Sequence, residues 1–437
     1  MRYAIVGCGS RHRMFRDALC GPYADRHQLV ALCDSNPRRL ALSAAEAGRP
    51  VATHDAADFK AMIAAEQPDS IIVATPDHTH ADYIVTALEA GCEVICEKPL
   101  ATHPDQLARI LDAQARTGGR ITVTFNYRYS PARTQLREII AAGTIGEVTA
   151  VDFRWHLDRI HGADYFRRWH RQKANSGGLL VHKASHHFDL LNWWLDSRPE
   201  QVTASARRAF YTPQTAADLG LAHPGPRCAT CLDGAQCDFA LVLDDDDNLR
   251  RLYREAEQAD GYHRNLCVFD PAIGIEDTFQ AHIRFASGAS ANYTLYAYAP
   301  WEGLEVSFIG TRGELTHRHT EVHGIFGGKR PPGEHESMAT TLHLAGEAPR
   351  AVEIPEGSGD HGGADPVMLE DLFAPDRAGP DRHNRASDQR AGAWSILTGI
   401  AADRAAQSGV ATDIGALIRD NALVGLTDPS RPEAGAA

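Results

Sequence analysis

The sequence predicts a two-part chain: an N-terminal α/β domain on a doubly wound parallel sheet, then an α+β domain whose sheet is mixed and largely open. Three observations carry this. Over residues 1–125, apolar runs at 3–6, 28–33, 70–75, 92–96 and 121–125 alternate with helical patterns, as parallel strands joined by crossover helices require. The first run feeds directly into Gly7-Cys8-Gly9, and the second ends on Asp34. Beyond residue 126 the rhythm changes, with a helix predicted over 131–143, a strand over 147–157, and alternation returning at 277–297 and 303–309. The expected boundaries are 1–125 and 126–426, with a Cys-containing insertion at about 213–275, loops at 324–336 and 374–387, and a disordered tail at 427–437. At 437 residues, two or three packing units are expected rather than one core.

Each element of the first domain has a chemical reading. Gly7 permits the tight turn after a first strand, and Gly9 lets a pyrophosphate approach the backbone. Ser10 and Arg11 open a helix whose amides and dipole favour an anion. His12 stands where such Rossmann-type fingerprints carry a third glycine, so the helix is expected to sit slightly further from the strand. The carboxylate of Asp34 suits an adenosine ribose and repels a 2′-phosphate, favouring NAD over NADP. Arg38 and Arg39 blunt that preference, since either could hold a phosphate or lie on the helix surface. The strand at 70–75 breaks at Pro76-Asp77-His78-Thr79-His80, where ligands bind in such sheets, making Thr75, Pro76, His78 and His80 cofactor candidates. Glu97-Lys98-Pro99 follows the next strand, and Asn126, Arg128 and Tyr129 leave the last one at the domain junction.

In order, the G-x-G turn, the acid at 34, the T-P-x-x-x-H loop, Glu97-Lys98-Pro99 and the segment from Gly177-Gly178 through His182, His186 and Asp189 resemble the Gfo/Idh/MocA family of nicotinamide-dependent oxidoreductases. The last two motifs are the specific ones. The likeness covers roughly the first two hundred residues and recurs at 277–315, where Gly310-Thr-Arg-Gly-Glu-Leu315 resembles a turn of the family's second domain. The insertion and the tail match less well. The resemblance implies an enzyme that oxidises a secondary hydroxyl of a sugar, sugar acid or cyclitol, with the open sheet covering the nicotinamide. It also admits redox-neutral members that cleave a glycoside by transient oxidation, elimination, hydration and re-reduction. A sensor that binds nicotinamide without turnover is a third reading, against which Lys98 and His186 both argue.

Removing a hydroxyl proton as a hydride leaves needs a base with a working pKa near neutrality. His186 fills the position of the family's catalytic histidine and is assigned the proton transfer, while Lys98, desolvated and oriented by Glu97, is expected to relay the proton. His182 stands where the family commonly has an aspartate. With Lys183 beside it, the pocket becomes more positive; His182 joins the catalytic candidates and Lys183 the substrate-binding ones. On one continuous helix, 182, 186 and 189 would share a face, placing Asp189 in the pocket. The same spacing suits zinc on His182 and His186 as a rival reading, while His187 is expected to be packed or solvated. A basic, aromatic stretch runs from Arg154 to Lys173 and includes His161, Tyr165, Arg168, Trp169 and His170. It suits an anionic sugar, or is a solvated loop. Arg128 and His361 complete the substrate candidates.

Composition bounds the rest. Hydrophobic residues make up 43% and charged residues 23%, and no apolar run is long enough to span a membrane. Met-Arg runs straight into a strand, not a signal peptide, so the cytoplasm is expected. The formal charge of −13 argues against a nucleic-acid partner. A small carbohydrate substrate and a symmetric copy covering the second sheet are the expected partners. Of nine cysteines, five read as small core residues of the first domain. Cys228, Cys231, Cys237 and Cys267 cluster in an insertion with too few large apolar residues for a core, where structural zinc is expected, a disulfide or unligated thiols being the alternatives.

Overall fold

A computed structural model of the chain describes residues 1–222, 224–322, 335–355, 357 and 360–426. The tail at 427–437 and most of the 324–336 loop lie outside the described residues. Six strands form a fully parallel sheet: β1 (Arg2–Val6), β2 (Gln28–Asp34), β3 (Ala52–Asp55), β4 (Ser70–Val73), β5 (Glu93–Cys96) and β6 (Ile121–Val123). Their order is β3-β2-β1-β4-β5-β6. The winding reverses between β1 and β4, so the carboxyl ends of these two strands frame the crevice where such sheets bind ligands. Strands β1, β2 and β4 are buried along nearly their whole length, as coverage on both faces requires. β3 carried no apolar signal because Ala-Thr-His-Asp is a half-exposed edge strand.

The second sheet has nine strands: β7 (Val148–Asp158), β8 (Pro199–Arg207), β9 (Thr278–Phe285), β10 (Ser290–Ala299), β11 (Gly303–Gly310), β12 (Gly313–Thr320), β13 (Ser337–Leu344), β14 (Arg350–Val352) and β15 (Thr412–Asp413). Their order is β14-β13-β12-β11-β7-β10-β9-β8-β15, with β7 and β10 parallel and every other pair antiparallel. The alternation at 277–297 is thus a hairpin, β9 and β10, turning at Gly288 with φ +90°. One face buries Phe153, Trp155, Tyr293, Leu295, Val306 and Phe308; the other presents Asp152, Arg154, Asn292, Glu305 and Arg318.

The chain then returns to the first domain. The helix Gln389–Ser408 packs against both β8 and β6, and Ser387 Oγ donates to the Val123 carbonyl at 2.7 Å. One continuous apolar core therefore spans both sheets. The insertion is better packed than its composition promised: Leu241, Leu243, Leu249, Leu252 and Tyr253 bury against one another and against Leu42. Asn36 Nδ2 donates to the Ala256 carbonyl at 3.1 Å and Arg13 Nη1 to Asn248 Oδ1 at 2.8 Å, so the insertion leans on the first domain beside Asp34. Among the described residues no helix is long and apolar enough to cross a membrane.

Candidate active site

A cleft of about 590 Å³ opens where the carboxyl edge of the first sheet meets the second domain and the insertion. At its deep edge, Gly7 adopts φ +91°, and a Cβ there would lie 2.6 Å from the Ala74 carbonyl oxygen, so only glycine fits. Gly9 has no atom within 4 Å of its would-be Cβ, leaving the backbone open to a ligand, and Ser10 and Arg11 continue the wall. His12 does the third glycine's work differently. Its buried ring bonds the Gly9 carbonyl through Nδ1 and Ser43 Oγ through Nε2, and burial pushes its pKa down to about 4. Asp34 Oδ2 accepts from the Cys8 amide at 2.6 Å and Oδ1 from the Asn36 amide at 2.7 Å, which aims the carboxylate along the rim. Arg39, not the exposed Arg38, is the arginine at this rim: its Nε stands 3.7 Å from Asp34 while Nη2 is held by Asp260 of the insertion. Thr75, Pro76 and His78 line the cleft, but His80 does not. Its ring is spent bridging the Pro99 and Thr75 carbonyls from within the core.

Three groups, two of them from distant segments, converge on Asp365. Arg11 Nε bonds Glu97 at 2.7 Å and Arg11 Nη1 reaches Asp365 at 3.4 Å; Asn126 Nδ2 donates to Asp365 at 2.6 Å; His361 Nδ1 sits 3.0 Å from it. Glu97 therefore fixes Arg11, whereas its expected role was to orient Lys98. His361, Gly362 and Gly363 are all left-handed, and that turn swings His361 toward the cleft before the helix resumes at Asp365.

The other end of the cleft is built from Lys98, Tyr127, His161, Tyr165, Arg168, Trp169, His170, His182, Lys183 and His186. Lys98, following β5, donates from Nζ to the His182 carbonyl at 3.2 Å. The helix expected through 182–189 is broken: one turn ends at His182 and the next helix begins at Ser185. His182 and His186 both reach the cleft, but Asp189 turns back into the core. There Arg128 grips it through two bonds of 2.6 and 2.7 Å, so neither residue lines the cleft as a substrate ligand. His187 is packed, stacked on Trp155 and bonded to Tyr293 at 2.7 Å. The basic stretch is packed rather than solvated from about His161 to His170, although Arg154 and Arg159 are exposed: His170 stacks on Trp169 and meets His182 edge-on, and both Arg168 and Arg264 pair with Asp164.

Electrostatics here are dominated by burial. It takes Lys98 from 10.5 down to about 8, with Asp77 and Glu97 opposing the shift and Lys183 adding to it. Burial, reinforced by Lys98 and neighbouring cations, holds His182 and His186 well below the usual imidazole range, as anticipated for His182 beside Lys183. Burial likewise holds the Asp77 carboxyl well above the usual carboxylate range, and its Oδ2 shares a 2.5 Å hydrogen bond with His182 Nδ1. His186 Nδ1 and His170 Nδ1 are buried without a hydrogen-bond partner. A second chain of polar groups faces the same space: Glu302 Oε1 lies 3.0 Å from His161 Nδ1, and His161 Nε2 lies 2.9 Å from the Tyr165 hydroxyl.

Several of these participants had no signal in the sequence. Asp365, Tyr253 and Tyr262 are a single acid and two aromatics outside any motif; Asp77 lies inside a loop already singled out and could have been found as its only acid. The zinc expectations are corrected. Among the described residues no group of three or more His, Cys, Asp or Glu is arranged to hold a metal ion. His182 Nδ1 is committed to Asp77. Cys228, Cys231, Cys237 and Cys267 do line one small cavity, but no disulfide joins them and backbone amides face two of the sulfurs, Gly225 N to Cys231 Sγ at 3.3 Å and Phe269 N to Cys267 Sγ at 3.4 Å.

A parallel-sheet dinucleotide crevice facing a second sheet across buried lysine and histidines defines a nicotinamide-dependent oxidoreductase by class. Residues 1–125 match the NAD-binding Rossmann fold, and residues 137–414 the C-terminal alpha/beta domain, of one oxidoreductase family. The chain belongs to the Gfo/Idh/MocA family. It is 35% identical over 413 residues to a Bacillus subtilis protein named as an oxidoreductase, YteT, covering 90% of this chain and 94% of that one. The D-glucoside 3-dehydrogenase of Escherichia coli is 30% identical over 191 residues, 43% of this chain and 52% of the relative. Inositol 2-dehydrogenase of Rhizobium meliloti is 31% identical over 206 residues, 47% and 58%. Among solved structures, levoglucosan dehydrogenase in complex with NADH and levoglucosan shares the fold with a TM-score of 0.66 at 19% identity, covering 95% of this chain and 99% of that one.

Proposed function

We propose that this chain uses NAD to oxidise a secondary hydroxyl of a sugar, sugar acid or cyclitol. The observation that carries the reading is the convergence of Lys98 and His186, 88 positions apart in sequence, on one wall of a cleft whose far end is a dinucleotide crevice. NAD, when bound, supplies the hydride acceptor. Gly7, Gly9, Ser10 and Arg11 would face its pyrophosphate, Asp34 its ribose, and Thr75, Pro76, His78 and Asn126 the remainder. Asp34, with Arg39 drawn aside by Asp260, supports NAD over NADP.

The substrate hydroxyl gives its proton to Lys98, whose lowered pKa leaves a usable fraction of free amine near neutrality. His186, neutral and lining the cleft, hydrogen-bonds a sugar hydroxyl and orients it. His182, braced by Asp77, holds Lys98 in place through its carbonyl. Incubating purified protein with NAD and a panel of polyols and sugar acids tests this. Reduced cofactor should accumulate one for one with oxidised product, and no turnover of any hydroxyl compound would remove the proposal.

One observation favours the redox-neutral glycosidase as second reading. Elimination needs a proton carrier beyond the one serving the hydroxyl, and the Tyr165–His161–Glu302 chain offers it. Glycoside cleavage with no net cofactor reduction, and solvent deuterium in the released sugar, would select it.

A further inference from the structure

Lys183 is the buried charge that the chemistry above leaves unexplained. Only 4% of its surface is exposed, it lines the cleft, and its ammonium makes no hydrogen bond or ion pair to any described residue. It rests instead over the rings of Trp155, at 4.6 Å, and Tyr127, at 5.8 Å. Those rings shape its approach and attract the cation, but they are neutral. Burial pulls the Lys183 pKa down while the Glu302 and Glu321 carboxylates pull it up, so the amine feels negative charge without touching it; a buried ammonium is costly and is normally paired directly.

The neighbouring acids are all engaged elsewhere. Asp77 is bonded to His182, and Glu302 to His161 and the Asp158 amide. Glu321 is bonded to Arg133 and Tyr127. Across the cleft, Arg168 and Arg264 divide one carboxylate, Asp164, between two guanidiniums, and Arg168 Nε remains buried without a partner. Each carboxylate at the substrate end is thus already bonded to another group, and none among the described residues touches the Lys183 amine. The position of Lys183 one residue after His182 and three before His186 puts its charge beside the groups proposed to handle the reacting hydroxyl.

We propose that Lys183 is a specificity-determining residue that binds a carboxylate on the substrate, so that the compound oxidised is a sugar acid rather than a neutral sugar or cyclitol. This rests on the oxidoreductase reading for the word substrate, but not for the binding itself. The carboxylate would take the place of the missing counter-ion over the Trp155 face, with the rest of the ring reaching toward Lys98 and His186. Lys98 remains the proton acceptor, since it is the lysine beside the dinucleotide crevice.

The test measures binding and turnover separately. Glucuronate and glucose, and gluconate and sorbitol, are titrated into NAD-loaded protein while tryptophan fluorescence and heat are followed. Wild type should bind each acid at least tenfold more tightly than its neutral counterpart. Lys183→Met, which keeps length and removes charge, should erase most of that ratio, and Lys183→Arg should restore part of it. In turnover, the loss for the acid should fall mainly on KM. Equal binding of acid and neutral compound by the wild type, or a ratio unchanged in a folded Lys183→Met, overturns the proposal. If no compound is oxidised yet the acids still bind with the Lys183-dependent ratio, the anion site stands and the dehydrogenase reading falls.

Discussion

The two ends of the cleft are built on opposite principles. At the dinucleotide end the charged groups are already paired: Asp34 holds two backbone amides, Arg11 bridges Glu97 and Asp365, Asn126 Nδ2 and His361 share Asp365, and Arg39 is drawn onto Asp260, with, among the described residues, only the neutral Asn126 Oδ1 and His78 Nδ1 buried there without a partner. At the other end, His186 Nδ1, His170 Nδ1, Arg168 Nε and the Lys183 ammonium are buried without hydrogen-bond partners. A wall whose charges are already paired is rigid before a ligand arrives, as befits a cofactor that serves every turnover. A wall with buried groups left unpaired is stable only because the core behind it is, and a ligand that pairs with those facing the cleft is expected to bind there preferentially. The difference is one between holding and discriminating.

Replacing Lys98 by Met tests the sharpest version of that contrast. If Lys98 works on the reacting hydroxyl, kcat should fall by about 10²- to 10⁴-fold, the usual contribution of a positioned acid–base group. Binding of NAD should change little, because the crevice is held by other residues. Steady-state rates paired with a cofactor titration decide it; near-normal turnover would take Lys98 out of the chemistry.

Arg128→Ala asks whether the wall behind the substrate end is structure or ligand. Both members of the Arg128–Asp189 pair are buried, and the bond is bidentate at 2.6 and 2.7 Å. Leaving Asp189 alone should cost about 3–5 kcal/mol of stability, the typical penalty for breaking a buried ion pair. Urea unfolding monitored by circular dichroism gives the value. A variant of unchanged stability but raised KM would return both residues to the substrate contacts.

These two pairs also mark what could be read from sequence. Gly7, Asp34, Lys98 and His186 were legible because each sits in a short motif whose local backbone dictates its role: a turn that only glycine fits, an acid at a strand end, a lysine after a strand, a histidine near a helix start. Arg128 and Asp189 were equally visible, but their mutual contact is not, since nothing local says that a charge 61 positions away will neutralise it. Asp365 sits in no motif, although Arg11 from the first domain and Asn126 from the domain junction both meet on it. The insertion was misjudged for the same reason. Its leucines are spread thinly along the chain and gather only when folded against Leu42, and that packing carries Tyr253, Asp260 and Tyr262 to the rim. The parallel sheet was legible from its apolar runs except at β3, where a half-exposed edge strand needs none.

At the paired end, Asp34→Ala should weaken NAD binding about ten- to a hundredfold, in keeping with about 1.5–3 kcal/mol for hydrogen bonds to a charged group. Binding of NADP should suffer less, since the acid that repels a 2′-phosphate is gone and Arg39 remains. Calorimetric titration of both cofactors into wild type and variant yields the ratio. Equal or tighter NADP binding by the wild type would overturn the assignment of Asp34.

The smallest effect is the most specific to the unpaired end. Lys98 must be free amine to accept a proton, and burial sets its pKa at about 8. Below that value most of the enzyme carries the ammonium form, so kcat/KM for oxidation should climb as pH rises and level off above pH 8. Between pH 7 and pH 9 the gain should be about tenfold, the change in the free-amine fraction of a single group acting as base. His186 adds no second rise, because its imidazole is held well below its usual range and is already neutral throughout this interval. Measuring the profile on wild type and on the residual activity of Lys98→Met separates the two groups. An inflection that persists near pH 8 in the variant would assign the titration to another residue, and a rate that falls with rising pH would show that Lys98 acts as an acid rather than a base.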